Sequence, residues 1–274
     1  MKNNIIIHFI CSDQKGIISK LTTILYDSGN NILSIEQHVD TENQKFYIRI
    51  SIEKKSIRQY FPKDELLKLS KDLKGKISFF DSNKKINVAI LGTKESEPIY
   101  DLLIKYNSGE FQCEIPVLIS NHDELSSIAK QFDIDFCKID DNKELVDVLK
   151  TKKIDLIILA RYMQIIPENI VKLYHNDIIN IHHSFLPAFK GAKPYHQAYK
   201  KGVKIIGATA HYVTDKLDEG PIICQDVISV SHKDSINQMI QLGREVERAV
   251  LCRAVRAHLE HKIIVYNNKT IIFN

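Results

Sequence analysis

Ile178-Ile-Asn180-Ile-His182-His-Ser-Phe-Leu-Pro187, answered downstream by Leu217-Asp218-Glu-Gly-Pro221, is the part of the chain whose reading decides the fold. Ile178 to Ile181 reads as a short apolar strand. Asn180 and His182 stand two apart, so on a strand their side chains share one face. A second apolar strand, Ile205 to Val213, leads into the loop that carries Asp218 just ahead of a Gly-Pro turn. Singly, each residue has an ordinary reading: a turn Asn, a hydrogen-bonded His, a turn-forming Asp. Together at strand ends, an amide donor, a titratable ring and a carboxylate suit polarising a carbonyl and moving a proton near neutral pH.

Working outward, the same alternation fills the stretch from Ile86 onward. Ile86 to Leu91, Glu114 to Ile119 and Ile154 to Leu159 read as strands, and Ile99 to Tyr106, Glu124 to Gln131 and Glu144 to Lys150 as helices. Pro167 to Tyr174 is a helix with proline in its first turn, and Asp234-Ser235 caps a long helix to about Leu259. Such alternation predicts a doubly wound, mostly parallel sheet with helices on both faces, and ligands of such sheets bind at strand ends. Ile263 to Tyr266 and Thr270 to Phe273 close the chain as a hairpin.

Upstream the order changes. Ile5 to Cys11 is a strand, Ser12-Asp13 a cap, and Gln14 to Asp27 a helix with Ile17, Leu21, Ile24 and Leu25 on one face. Ile32 to Asp40 and Phe46 to Ile52 flank the polar turn Thr41 to Gln44. A helix from Lys63 to Leu73 and a strand from Ile77 to Phe80 complete a βαββαβ, ferredoxin-like sandwich. The polar run Asp81-Ser-Asn-Lys-Lys85 marks a boundary, which predicts two domains, 1–81 and 86–274.

Composition limits the function classes. With 274 residues, 44% hydrophobic and 26% charged, the chain has ample core for two α/β domains. A net charge of +4 with both signs interspersed argues against nucleic acid as a partner. Ile5 to Phe9 is too short for a signal-peptide core, and no stretch approaches the roughly 20 apolar residues that span a bilayer. Five scattered cysteines, without metal-ligand spacing, fit free thiols in a reducing cytoplasm.

Asn180-Ile-His-His-Ser-Phe-Leu-Pro187, Gly207-Ala-Thr-Ala-His-Tyr-Val-Thr214 and Leu217-Asp-Glu-Gly-Pro-Ile-Ile223 together resemble the folate-dependent formyltransferase family, over nearly all of 86–274. The resemblance implies 10-formyltetrahydrofolate as substrate, with no separate cofactor and no metal, and catalytic roles for Asn180, His182 and Asp218. It implies a pterin site along Arg161, Met163, Gln164 and Ile165 and the loop from Thr214 to Asp218. His211 is read either as orienting Asp218 or as a hydrogen-bonded core histidine. Lys190 and Arg161 are candidates to meet the glutamate tail of the folate.

Two features narrow the resemblance. Gly92-Thr-Lys-Glu-Ser-Glu-Pro98 has a single glycine and two acidic residues, a poor cradle for a substrate phosphate. His183 stands where the transferases carry proline. Both point to the hydrolytic branch, whose members hand the formyl group to water, release formate for purine synthesis and balance the one-carbon folate pool. Crowding around His183 to Phe185 is the expected way of closing off an amine acceptor. Transfer to a small amine, or a catalytically idle folate or amino-acid sensor, are the competing readings.

The first domain resembles an ACT domain through Asp13-Gln-Lys-Gly16-Ile-Ile, Asn31-Ile and Glu36-Gln-His-Val-Asp40. That resemblance implies a small amino-acid effector, glycine or methionine, at Asp13, Gly16 and Asn31, and a homodimer or homotetramer. Gly16 would either admit a ligand close to the backbone or merely ease a tight turn.

Overall fold

The computed structural model describes residues 3–54, 60–188 and 194–274, which divide into two compact units. The first comprises β1 (Asn4–Ser12), α1 (Ile17–Asp27), β2 (Ile32–Asp40), β3 (Lys45–Glu53), α2 (Lys63–Asp72) and β4 (Lys76–Asp81). Its sheet runs β2-β3-β1-β4 and is antiparallel throughout. Alternate residues of the central strands (Ile7, Phe9 and Cys11; Phe46, Ile48, Ile50 and Ile52) pack with Leu21 and Leu25 of α1 and Leu66 of α2. The βαββαβ order is as the sequence predicts. The start of α1 is not: Gly16, at φ +85°, precedes Ile17, and no side chain caps the helix. Only a residue tolerant of left-handed backbone makes that entry without strain, so the helix begins three residues later than its apolar periodicity suggests. Asp13 and Gly16 are exposed in this loop, and the exposed Asn31 donates to Glu53 at 3.3 Å.

The opposite face of this sheet is also covered. Tyr47 packs with Ile264 and Phe273, which belong to the terminal strands β12 (Ile263–Tyr266) and β13 (Lys269–Ile272). Arg49 donates to the carbonyls of His261 (2.8 Å) and Glu260 (3.1 Å) and pairs with Glu36. Residues Glu260–Tyr266 and Ile271–Asn274 therefore group with the first unit, whereas the expected division assigned everything from 86 to 274 to the second.

The second unit is a seven-stranded sheet in the order β11-β10-β9-β8-β5-β6-β7. β5 (Ile86–Gly92), β6 (Cys113–Ser120), β7 (Asp135–Lys138), β8 (Leu156–Ala160) and β9 (Ile178–His182) are parallel. β10 (Ile205–Tyr212) pairs antiparallel with β9, and β11 (Ile222–Ser229) antiparallel with β10. From β5 the chain winds out to β7, then returns to β8 on the other side. The switch point lies between β5 and β8, where open α/β sheets part their loops to make a crevice.

The helices are α3 (Glu97–Asn107), α4 (Ser126–Gln131), α5 (Asn142–Thr151), α6 (Glu168–Leu173), α7 (Pro194–Lys201) and α8 (Ile236–Leu259). On one sheet face Ala89, Leu91, Val117, Ile157 and Leu159 meet Leu145 and Leu149 of α5 and Ile170 and Val171 of α6. On the other face α8 packs on β9, β10 and β11 and against α3. A reciprocal capping box opens α8: Ser235 Oγ accepts from Gln238 N (3.3 Å), and Gln238 Oε1 accepts from Ser235 N (2.8 Å).

Ile157, wholly buried on the central strand β8, is the natural probe of this core. Ile157→Ala is expected to cost about 2–5 kcal/mol, read as a lower urea midpoint with an unchanged slope.

Candidate active site

β9 brings Asn180 and His182 to the end of the sheet on one face, and β10 sets His211 directly opposite Asn180. Asn180 Nδ2 lies 3.3 Å from His211 Nε2. His211 Nδ1 is 2.8 Å from the carbonyl oxygen of Tyr212. A carbonyl can only accept, so Nδ1 carries a proton, and Nε2 faces both the Asn180 amide and the Asp218 carboxylate.

Asp218 arrives on the loop between β10 and β11. That loop is tightly closed: Tyr212 N donates to Pro221 O at 2.9 Å, and a Cβ on Gly220 would overlap the Tyr212 carbonyl oxygen. This is why glycine follows Asp-Glu in the motif. Asp218 itself sits at φ +56°, in the left-handed region that Asp tolerates better than most residues. Asn268 donates to Glu219 O (2.9 Å) and Thr270 to Ile222 O (2.5 Å), so residues near the tip of the C-terminal hairpin brace both flanks of the loop.

The carboxylate lies between two imidazoles. His182 Nδ1 is 3.2 Å from Asp218 Oδ2, and His211 Nε2 is 3.6 Å from Asp218 Oδ1. Hydrogen bonding to His182 and then to His211 holds the Asp218 carboxyl well below the usual carboxylate range, outweighing the opposing effect of burial. Asp218 is therefore an anion at neutral pH. His182 directs Nδ1 at this anion, while its Nε2 is buried with no partner among the described residues. That atom is placed to give or take a proton at a reacting group.

A cavity of about 560 Å³ opens beside these groups. Asn180, His211 and Asp218 line it, together with Gln164, Ile165 and Thr214 of the expected pterin site. Leu159, Tyr162, Val171, Val213 and the exposed Leu217 give it an apolar wall suited to a flat ring system. Arg161 and Met163 are not among the residues lining it. The Met163 amide donates to Thr93 Oγ1 at 2.9 Å, and the Arg161 guanidinium pairs with Glu247 at 2.9 Å. Lys190 lies outside the described residues.

The loop after β5 is acidic in sequence yet locally neutralised. Arg244 of α8 pairs with Glu95 (2.9 Å) and Glu97 (3.4 Å), and Lys94 pairs with Glu124 (3.2 Å). An apolar cavity of about 240 Å³ lies against His183, Ser184, Phe185 and Tyr195, the last on α7, a helix the sequence pattern does not announce. Among the described residues no group of three or more His, Cys, Asp or Glu side chains is arranged to hold a metal ion, and no helix is long and apolar enough to cross a membrane.

A two-layered antiparallel module joined to a doubly wound sheet, with an amide, two imidazoles and a carboxylate at strand ends, defines a two-domain acyl-group enzyme. Comparisons with known proteins specify it. Residues 86–255 match the formyl transferase family and residues 5–59 the ACT domain. The chain belongs to the formyl transferase family, with an ACT domain in front. It is 45% identical to the formyltetrahydrofolate deformylase of Synechocystis, over 96% of both chains. The crystal structure of a formyltetrahydrofolate deformylase from Pseudomonas syringae superimposes with a TM-score of 0.96 at 38% identity, covering 100% of this chain and 95% of that one. A phosphoribosylglycinamide formyltransferase from Anaplasma phagocytophilum aligns with 70% of this chain and 96% of its own, at a TM-score of 0.66 and 31% identity.

His183 supplies a pH test. Burial, with the nearby charge of Arg161 second, lowers its pKa from 6.5 to about 4. Between those values the unfolded chain binds the proton and the folded one does not, so stability is present above 6.5 and is lost as pH falls towards 4. Thermal unfolding scans should show Tm dropping over that window, with a shallower drop in His183→Asn.

Proposed function

We propose that the protein hydrolyses 10-formyltetrahydrofolate to tetrahydrofolate and formate. The observation that carries this reading is the Asp218 anion, held between His182 and His211 beside the Asn180 amide, at the wall of a cavity large enough for a pterin. Full-length relatives named formyltetrahydrofolate deformylase support it.

In this mechanism Asn180 donates to the formyl oxygen as charge builds on it; one such donor typically lowers the barrier by about 3–4 kcal/mol. Asp218 orients the attacking water and accepts its proton, directly or through an imidazole. The water oxygen bonds to the formyl carbon, the C–N10 bond breaks, and His182 delivers a proton from Nε2 to the departing N10. Formate and tetrahydrofolate result, with no co-reactant beyond water. Gln164, Ile165 and Thr214 hold the pterin. The formate supplies purine synthesis, and the reaction rebalances the one-carbon folate pool.

The βαββαβ unit serves as a sensor for a small amino acid, glycine or methionine, at Asp13, Gly16 and Asn31, and the chain works as a homodimer or homotetramer in the cytoplasm. The turn at Gly16 favours access: a Cβ there would meet nothing within 4 Å, so the backbone lies open to a ligand.

Purified protein incubated with 10-formyltetrahydrofolate and no amine should release formate and tetrahydrofolate in equal amounts. Turnover that begins only when an amine is added would transfer the assignment to a formyltransferase. Asp218→Asn should lose about 10²-fold or more of the rate while its circular dichroism spectrum is kept. Near-wild-type turnover in that folded variant would remove Asp218 from the chemistry.

A further inference from the structure

Glu247 lies in the middle of α8, and its side chain is only 3% exposed. Both of its oxygens are taken. Arg161 Nη1 donates to Oε2 at 2.9 Å, and the Tyr195 hydroxyl donates to Oε1 at 2.6 Å. A carboxylate at that depth is tolerated only when paired and hydrogen-bonded, so its two partners are held as firmly as it is. One helical turn earlier stands Gly243, where any Cβ would overlap the Tyr195 phenol. Glycine is a poor residue for a helix interior, and here it lets the ring lie directly against the backbone. Two independent features of α8 thus fix one tyrosine.

What Tyr195 and Arg161 have in common is His183. The Tyr195 ring lies 6.2 Å from the His183 ring, centroid to centroid, and the His183 ring lies 5.3 Å from that of His182. Arg161 is the residue directly after β8, in left-handed backbone at φ +59°, and its charge acts on His183. Through Tyr195, ring contacts therefore run in series from α8 to the imidazole whose Nε2 has no partner among the described residues.

We infer that Glu247 is a positioning residue for the hydrolysis: by anchoring Tyr195 and Arg161 it fixes His183 against His182, and so keeps the free Nε2 of His182 aimed at the reacting group. The inference rests on the hydrolytic reading above. Glu247 and its partners do not line the large cavity, so disturbing them should alter turnover and leave folate binding intact.

Three variants test it. Tyr195→Phe removes a single hydroxyl and is expected to lower kcat about ten-fold with KM for 10-formyltetrahydrofolate within about two-fold. Glu247→Gln should lower kcat further, because it also leaves the Arg161 charge without its counter-ion. The paired variant Arg161→Met with Glu247→Met removes both buried charges. It should keep a Tm near wild type and still be slow. A folded Tyr195→Phe with wild-type kcat, or a paired variant that regains full kcat along with its Tm, would overturn the inference. If Glu247→Gln fails to fold, Tyr195→Phe decides alone. A wild-type protein that releases no formate would sink the hydrolytic reading and this inference with it, whereas an active wild type with unaffected variants sinks the inference alone.

Discussion

Asp218 is held between His182 and His211, and the rest of the site is arranged around keeping that carboxylate charged, in place and partly dry. An anion withdrawn from water is costly unless hydrogen bonds replace its solvation. Two imidazoles do so here, from neighbouring antiparallel strands whose register puts both rings on one side of the sheet. The carboxylate comes from a different source, a loop bent through a left-handed Asp and closed over a glycine with no room for a side chain. Rigid sheet and braced loop therefore meet at one pair of contacts, and neither half alone makes a catalytic group.

That arrangement explains what could and could not be read from the residues alone. β5, β6, β8 and β9 were legible because strands buried on both faces are dominated by apolar residues, unbroken in β8 and interrupted only by single polar residues or proline in the others. β7 is a short edge strand of four residues, Asp-Phe-Cys-Lys, and has no such run. β11 begins directly after Gly-Pro and reads as the end of a loop, and α7 begins with a proline in a polar stretch. Asn180 and His182 were visible as a pair because their spacing lies within one strand. His211 sits twenty-nine positions beyond His182, and its place opposite Asn180 follows from an antiparallel register that no local pattern records. Arg161 illustrates the reverse. A strand-end arginine near an anionic substrate suggests a ligand contact, yet Glu247 on a charged-looking helix claims it. A buried carboxylate with a remote partner leaves no periodic trace in sequence.

The two cavities divide the chemistry. The larger is lined by Asn180, His211 and Asp218, the groups that would meet a formyl carbon. The smaller lies against His183, whose neutrality at physiological pH is enforced by burial, and it is almost wholly apolar. A neutral flank beside His182 adds no counter-charge of its own, so Asp218 is the carboxylate that faces that ring.

A structure named for transfer to phosphoribosylglycinamide shares this sheet at a TM-score of 0.66, while structures named formyltetrahydrofolate deformylase share the whole chain. The sheet therefore does not choose the acceptor; side chains added to it must. In this chain the loop after β5 carries Glu95 and Glu97, and Arg244 cancels their charge locally rather than leaving a positive surface. Along that loop Lys94 is paired with Glu124 and Arg244 with Glu95 and Glu97, and a single glycine precedes it, which leaves an anionic acceptor little to replace its hydration. Water needs no such recognition. Denying a larger anionic acceptor its binding energy would favour water without shutting that acceptor out by bulk.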